Sequence, residues 1–208
     1  MKNDQSTIAR ILLDAKAVTL NVDHPYTYSS GIRSPIYCDN RLLISNVQTR
    51  NKIVQAFCNR IQKIQPKQIA GVATAGISWG AWIAQALELP YIYVRSKPKG
   101  HGKEKQIEGD FIIENTLLIE DLISTGKSSL EALHGLQKEN VPASGLIAIF
   151  TYGLSSAVEA FETAKLPVHT LTHLDVLLDE AVEGGFLKSE QKSEVLRWRE
   201  NPETWFKG

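Results

Sequence analysis

The chain has 208 residues, of which 43% are hydrophobic and 22% charged, as expected for an ordered globular protein with a substantial apolar core. Its 23 basic and 23 acidic side chains balance, which argues against binding to nucleic acid or to a membrane surface. No apolar run approaches the length of a membrane span and the N-terminal residues lack the apolar core of a signal peptide, so we expect a cytoplasmic protein. Cys38 and Cys58 lack C-x-x-C spacing and are expected to act as small buried hydrophobic residues.

The first predicted elements are an amphipathic helix at residues 4–17, short extended pieces over residues 27–40, and a helix capped by Ser45. From residue 69, apolar strands at 69–73, 91–94, 116–119 and 146–150 alternate with helical patterns at 77–87, 130–137, 157–164 and 171–178. This alternation predicts an α/β fold with a doubly wound, mostly parallel sheet flanked by helices. A small N-terminal piece precedes this core, and a helical tail follows from about residue 189.

The loop after the predicted strand at 116–119 carries Glu120 and Asp121, followed by STGKS at residues 124–128. The ending GKS matches a Walker A motif, but Asp121 stands where that motif requires its first glycine, and a carboxylate there would repel phosphate. Small hydroxyl residues and a glycine at a helix start form an anion site, whereas two adjacent acids suit hydroxyl groups or a metal ion. A sugar phosphate satisfies both halves, and the alternative is an acidic surface turn with an ordinary Ser/Thr cap.

Two further loops should emerge at the same edge of the sheet. Residues 73–76 (ATAG) are small enough for a phosphate group to approach the backbone closely, although a tight strand-to-helix turn explains them equally well. Residues 95–105 carry five cations, one histidine and two glycines with no apolar anchor, which indicates a lid over a phosphate site or a solvated charged loop. The spacing of Trp79 and Trp82 favours core or interface packing over ligand stacking.

With these loops in place, the chain resembles the type I phosphoribosyltransferases, whose phosphoribosyl pyrophosphate motif matches LLIEDLISTGKSS at residues 117–129 over its full length. Among them it is most similar to the orotate phosphoribosyltransferases. YTYSSGIRSPIYCDNR (26–41) is similar to their N-terminal hood, and YVRSKPKGHG (93–102) with QIEG (106–109) to their catalytic lid. GVATAGI (71–77) is similar to their pyrophosphate loop and AIFTYGL (148–154) to the strand near the base. The Walker-like ending is then incidental, because the loop holds a ribose.

The resemblance implies a role for each matching residue. Glu120 and Asp121 would contact the ribose hydroxyls, residues 124–128 would surround the 5′-phosphate, and Ser124 would also lie near orotate. The implied catalytic residues are Lys99, His101 and Asp121. The implied substrate-binding residues are Arg95, Lys99, His101, Glu120, Asp121, Leu122, Ile123, Ser124, Thr125, Gly126, Lys127 and Ser128.

The implied reaction joins N1 of orotate to C1 of the ribose and releases pyrophosphate, giving orotidine 5′-monophosphate in pyrimidine synthesis. Its transition state should resemble an oxocarbenium ion, so Mg²⁺, Lys99 and His101 would stabilise the departing negative charge. No protein residue is assigned as a metal ligand. The resemblance further implies one domain, with a hood at about 1–45, an α/β core at about 46–188 and a tail at about 189–208. It also implies a homodimer in which Arg95, Lys99 and His101 reach into the partner's site.

The sequence departs from the pattern of some family members at the lid, the hood and the base site. Those members have lysine where this chain has Ser96 and Ser29, and an Asp-Arg pair where residues 150–153 (FTYG) stand, so the residue facing the orotate carboxylate is not assigned. Two alternatives stay open: a phosphoribosyltransferase for another base, and a regulator that binds phosphoribosyl pyrophosphate without turning it over. The hood favours orotate, and a regulator would need a DNA-reading domain for which the chain has no spare length.

Overall fold

The computed structural model describes residues 2–28, 30–97 and 105–206. In chain order these form α1 (Lys2–Asp14), β1 (Val18–Leu20), β2 (Tyr26–Thr27), β3 (Arg33–Ser34), β4 (Ile36–Cys38), α2 (Val47–Ile61), β5 (Gln68–Val72), α3 (Gly76–Leu87), β6 (Tyr91–Val94), β7 (Ile107–Glu108), β8 (Thr116–Ile123), α4 (Lys127–Lys138), β9 (Ala143–Thr151), α5 (Ser155–Thr163), β10 (Val168–His173), α6 (Leu174–Glu183) and α7 (Lys192–Glu200). Short 3₁₀ helices lie at Asn40–Leu43 and Ser189–Gln191. Within these ranges, no helix is long and apolar enough to cross a membrane.

Six of the strands form the central sheet, in the order β10-β9-β8-β5-β6-β7. The first five pair in parallel, and β7 joins β6 antiparallel at one edge. Helices α3, α4 and α5 connect successive parallel strands, which confirms the predicted α/β sheet. Because parallel strands share one carboxyl edge, the segments after β5, β6 and β8 emerge together there.

Alternate side chains of the strands supply two separate apolar layers, because neighbouring residues in a strand point to opposite faces of the sheet. In β8, Leu117 and Ile119 join the larger layer with residues of α1, α2, α3, α6 and α7. Leu118 packs in the other layer with residues of α4 and α5. Glu120, the next residue on the Leu118 side, faces α4, where Ser129 donates to its carboxyl. The alternation breaks beyond Glu120, because Leu122 packs against the larger layer and Ile123 in the other.

The predicted extended pieces near the N-terminus are two small antiparallel pairs, β1 with β4 and β2 with β3. The β2–β3 turn needs Gly31, whose φ of +85° lies in the left-handed region. Its N–H donates to the carbonyl of Tyr28 at 2.8 Å. The 3₁₀ helix Asn40–Leu43 follows β4 and contacts β8. From here on, the name hood refers only to residues 18–43, a narrower segment than the 1–45 of the sequence prediction. The wider domain boundaries given above stay a prediction.

Two local predictions were wrong. The pattern at 171–178 is not one helix: Leu171 belongs to β10, and α6 begins at Leu174. The apolar residues of a buried strand and a following helix run together without a change of spacing, so periodicity could not separate them. At α2 the cap is Asn46 rather than Ser45, since Asn46 Oδ1 accepts a hydrogen bond from the Thr49 N–H at 2.9 Å.

Candidate active site

The centre of the candidate site is the end of β8, which extends beyond its neighbour. Pairing with β5 ends at Gly71 and Ile119, whereas pairing with β9 continues to Ile123. The strand is therefore longer than the predicted 116–119. Glu120 and Asp121 lie inside it, where one edge of the strand is no longer covered by β5.

Glu120 is held in place from two sides. Its side chain is buried, with 5% of the residue exposed. Oε1 accepts a hydrogen bond from the Asp121 N–H at 3.1 Å, and the buried Ser129 of α4 donates to Oε2 at 3.5 Å. Burial raises the pKa of Glu120 well above its ordinary value, and the neighbouring Asp121 charge raises it further. Sequence reasoning missed the role of Ser129. Its position in the first turn of the helix that follows the acids could have indicated a contact with them.

Asp121 lies against the hood. Its carbonyl oxygen accepts a hydrogen bond from Asn40 Nδ2 at 2.7 Å. Burial raises the pKa of Asp121, and its hydrogen bonds and the nearby Arg41 charge oppose that shift. Arg41 is itself held by Asp39, with Nε–Oδ1 and Nη2–Oδ2 distances of 2.6 and 2.8 Å. Asn40 and Arg41 are thus part of the site's wall; the hood motif at 26–41 includes both residues but assigned neither a role.

The turn at 124–126 leads from β8 into α4, with Gly126 at the helix start. Its φ is +77°, and a Cβ there would lie 2.7 Å from the Phe161 ring, so both conformation and space require glycine. Gly126 at the cap position has no side chain to bond the first N–H groups of α4, so within the described part of the chain these groups are available to an anion. Ser124 is half-buried, and Thr125, Lys127 and Ser128 are exposed around this helix end.

Leu122 and Ile123 belong mainly to the packing of the sheet. Leu122 is partly buried against the larger apolar layer, and the Ile123 side chain is buried in the other. The Ile123 carbonyl accepts hydrogen bonds from the Tyr152 N–H and the Thr151 hydroxyl, both at 3.2 Å. The side chains of Leu122 and Ile123 can therefore offer a ligand no more than apolar contact.

The loop at 73–75 brings α3 against the same edge. A Cβ on Gly76, the first residue of α3, would lie 2.3 Å from the Ile119 carbonyl oxygen and 3.4 Å from Glu120 Cα. The glycine is thus required for close approach of α3 to β8, which places the small residues 73–75 beside the acids. Trp79 is fully buried and meets Trp82 edge to face at 5.4 Å, so core packing is confirmed for Trp79.

Arg95 follows β6 at this carboxyl edge. Its N–H donates to the Gln106 carbonyl at 2.9 Å, and Nη1 lies 3.5 Å from Glu108 Oε1 in β7. The guanidinium is partly exposed, so it is anchored while still open to an anionic ligand. Lys99 and His101, the other implied lid residues, lie outside the described residues.

The donor atoms at the acids are oxygens, the ligand type that Mg²⁺ prefers. Across the described ranges, no group of three His, Cys, Asp or Glu side chains is placed to hold a metal ion. Such a site fits an ion carried by substrate oxygens and water, with the carboxyl oxygens of Glu120 and Asp121 beside it.

No protein-family model matches the sequence. The chain is nevertheless 48% identical over 206 residues to an orotate phosphoribosyltransferase of Coxiella burnetii, covering 98% of this chain and 99% of that protein. This chain belongs to the orotate phosphoribosyltransferase family. Among solved structures, the orotate phosphoribosyltransferase of Aeropyrum pernix has a TM-score of 0.72 at 22% identity, covering 83% of this chain and 98% of that one. The UMP synthase of Leishmania donovani has a TM-score of 0.81 at 22% identity over 95% of this chain, which spans 42% of that longer protein.

Membership in the orotate phosphoribosyltransferase family confirms the resemblance inferred from the motifs. At 22% identity the two solved structures show the fold alone, and it is the expected type I phosphoribosyltransferase fold. This family member carries its motif acids at the uncovered end of β8, between an uncapped helix start and the hood. The roles of the individual site residues stay predictions.

Proposed function

We propose that the chain transfers ribose 5-phosphate from 5-phospho-α-D-ribose 1-diphosphate to N1 of orotate, giving orotidine 5′-monophosphate and pyrophosphate in de novo pyrimidine synthesis. The observation that carries this proposal is the placement of Glu120 and Asp121 beside the uncapped start of α4. Two carboxyls next to an anion site match the two halves of a ribose phosphate. The 48% identity over nearly the whole of both chains supports orotate as the base.

In this site we assign each group a task, from its position for the described residues and from the motif alone for Lys99 and His101. The first turn of α4, with residues 124–128, binds the 5′-phosphate, and Glu120 and Asp121 accept hydrogen bonds from the ribose hydroxyls. Arg95, Lys99 and His101 bind the pyrophosphate and stabilise the negative charge that grows on it as the bond to C1 breaks. Mg²⁺ bound beside Glu120 and Asp121 would supply further positive charge there.

The proposal includes a homodimer that works in the cytoplasm, with lid residues reaching into the partner's site. Its support is the family resemblance, with which apolar side chains on the surface of two adjoining helices are consistent. Val47 in the first turn of α2 is 55% exposed, and Trp82 in α3 stays partly exposed beneath the Arg50 guanidinium, which lies 4.7 Å from its ring. Apolar surface of this kind suits a second protein chain better than water.

The reaction is tested by mixing the protein with orotate, phosphoribosyl pyrophosphate and Mg²⁺ and following the loss of orotate absorbance. Turnover with orotate is expected, and parallel mixtures with uracil, adenine and hypoxanthine, followed by the release of pyrophosphate, should stay inactive. Turnover with another base alone would assign a different phosphoribosyltransferase, and no turnover with any base would favour a regulator. Omitting Mg²⁺ with a chelator present should abolish the reaction.

A further inference from the structure

Asn40 makes a buried contact with the backbone of the motif. It is the first residue of the 3₁₀ helix in the hood, and 1% of it is exposed. Its Nδ2 donates to the carbonyl oxygen of Asp121 at 2.7 Å, across 81 residues of sequence. No pattern in the sequence assigns Asn40 a role.

The contact replaces strand pairing that β8 has lost. Beyond Ile119, β5 no longer runs beside β8, so the Asp121 backbone must be satisfied by other groups. Its N–H donates to Glu120 Oε1 and its carbonyl accepts from Asn40 Nδ2. Two side chains, one of them from the hood, therefore hold the backbone that carries the Asp121 carboxyl.

The oxygen atom of the Asn40 amide shows why the side chain points its nitrogen at Asp121. Oδ1 is buried and has no hydrogen-bond partner among the described residues. Turning the amide over would place Oδ1 against the Asp121 carbonyl oxygen, so the observed orientation is the favourable one. An unpaired buried acceptor costs free energy, which a residue serving core packing alone would avoid.

We propose that Asn40 is a positioning residue, which fixes the Asp121 backbone from the hood and so sets its carboxyl for the ribose of phosphoribosyl pyrophosphate. The proposal rests on the proposed function for the ribose-binding role of Asp121. The 5′-phosphate site at the start of α4 does not depend on Asn40, because the two are held by different elements. Loss of Asn40 should therefore weaken the binding of a ribose-bearing ligand and leave the binding of inorganic phosphate unchanged.

The test compares Asn40→Asp with Asn46→Asp. In Asn40→Asp, the NH₂ donor is replaced by a carboxylate oxygen of the same size, which faces the Asp121 carbonyl oxygen. In the second, the α2 cap keeps its acceptor for the Thr49 N–H, since aspartate caps helices as well as asparagine. Affinity for phosphoribosyl pyrophosphate is measured by calorimetry, and the rise in Tm produced by inorganic phosphate reports the anion site.

Asn40→Asp should weaken phosphoribosyl pyrophosphate binding about tenfold and leave the phosphate-induced Tm rise unchanged. Asn46→Asp should match wild type in both. Unchanged affinity for phosphoribosyl pyrophosphate, or an equal weakening of phosphoribosyl pyrophosphate and phosphate binding, would overturn the proposal. If Asn40→Asp fails to fold, Asn40→Ala removes the donor without adding charge and is judged by the same two measurements. Wild-type turnover tests the reaction separately, so failure of one idea is distinguishable from failure of the other.

Discussion

The phenol oxygens of Tyr28 and Tyr152 lie 3.3 Å apart, and their hydrogen bond joins the hood to the end of β9 across 124 residues of sequence. Burial raises the pKa of both phenols, so both stay protonated at neutral pH. Trp198 of α7 meets the two rings edge to face, at 5.3 Å from Tyr152 and 6.4 Å from Tyr28. The hood, the sheet and the C-terminal helix therefore meet at one aromatic contact.

Tyr152→Phe should lower the free energy of unfolding by about 1 kcal/mol, because it deletes the buried Tyr28–Tyr152 hydrogen bond and keeps the ring. Urea denaturation measures the loss. Tyr37→Phe is the matched control: Tyr37 is 41% exposed, and its hydroxyl makes no hydrogen bond within the described part of the chain. Equal losses in the two variants would show that the Tyr28–Tyr152 bond does not stabilise the hood.

Glu120→Gln should stabilise the fold at pH 8 and weaken phosphoribosyl pyrophosphate binding about tenfold. Burial raises the folded-state pKa of Glu120 above its unfolded value, so folding favours the protonated form. Its contribution to stability is full below the unfolded pKa and is lost as pH rises through the folded pKa. Glutamine does not ionise, so the Tm gap between variant and wild type should shrink as pH falls from 8 toward 5. The exposed Glu159→Gln provides the control, and a pH-independent gap would contradict the prediction.

Gly76→Ala should lower the free energy of unfolding by about 1–3 kcal/mol, because the added methyl group overlaps the Ile119 carbonyl oxygen and pushes α3 away from β8. The shift also displaces the backbone beside Glu120, so activity should fall together with Tm. Ser78→Ala, in the same first turn of α3, should change neither. Wild-type stability for Gly76→Ala would mean that α3 and β8 are packed less closely than described.

Lys99→Ala should lower kcat about a hundredfold and change KM for orotate little, because a lid cation acts on charge that develops in the transition state. Lys99 lies outside the described residues, so this prediction rests on the motif. Steady-state kinetics with both substrates varied gives the two constants. Lys105→Ala, at the end of the same basic stretch, is the control. An effect confined to KM would make Lys99 a binding residue only.

Chains carrying Lys99→Ala and chains carrying Asp121→Asn should complement each other if Lys99 serves the partner's site. A mixed dimer then has one site with both lesions and one with neither. Equal mixing with free exchange makes about half the dimers mixed, so activity should recover to about a quarter of wild type. Co-expression allows exchange, and native mass measurement confirms the mixed dimers. Recovery no greater than the mean of the parents would assign Lys99 and Asp121 to the same chain's site.

Several features were predicted correctly because their causes are local. The apolar runs predicted as strands at 69–73, 91–94 and 116–119 alternate with helical patterns, and burial of such runs produces a parallel sheet. The common carboxyl edge then follows from topology, which is why Glu120 and Asp121 were placed beside the start of α4 without coordinates. The C-terminal end of β8 was predicted too early, at Ile119. The strand continues to Ile123 because it pairs with β9, and that pairing cannot be read from the β8 sequence.

The sequence by itself determined the alternation of β5, β6, β8 and β9 with α3, α4 and α5, the motif acids at a strand end and the family resemblance, since each depends on spacing within a short stretch. Only the tertiary structure decided that Asn40 holds the Asp121 carbonyl, that Ser129 holds Glu120 and that Tyr28 meets Tyr152. The Asn40 and Tyr28 bonds join residues 81 and 124 positions apart. Their formation depends on where the hood docks, and docking is governed by the summed packing of the larger apolar layer, which no local pattern specifies.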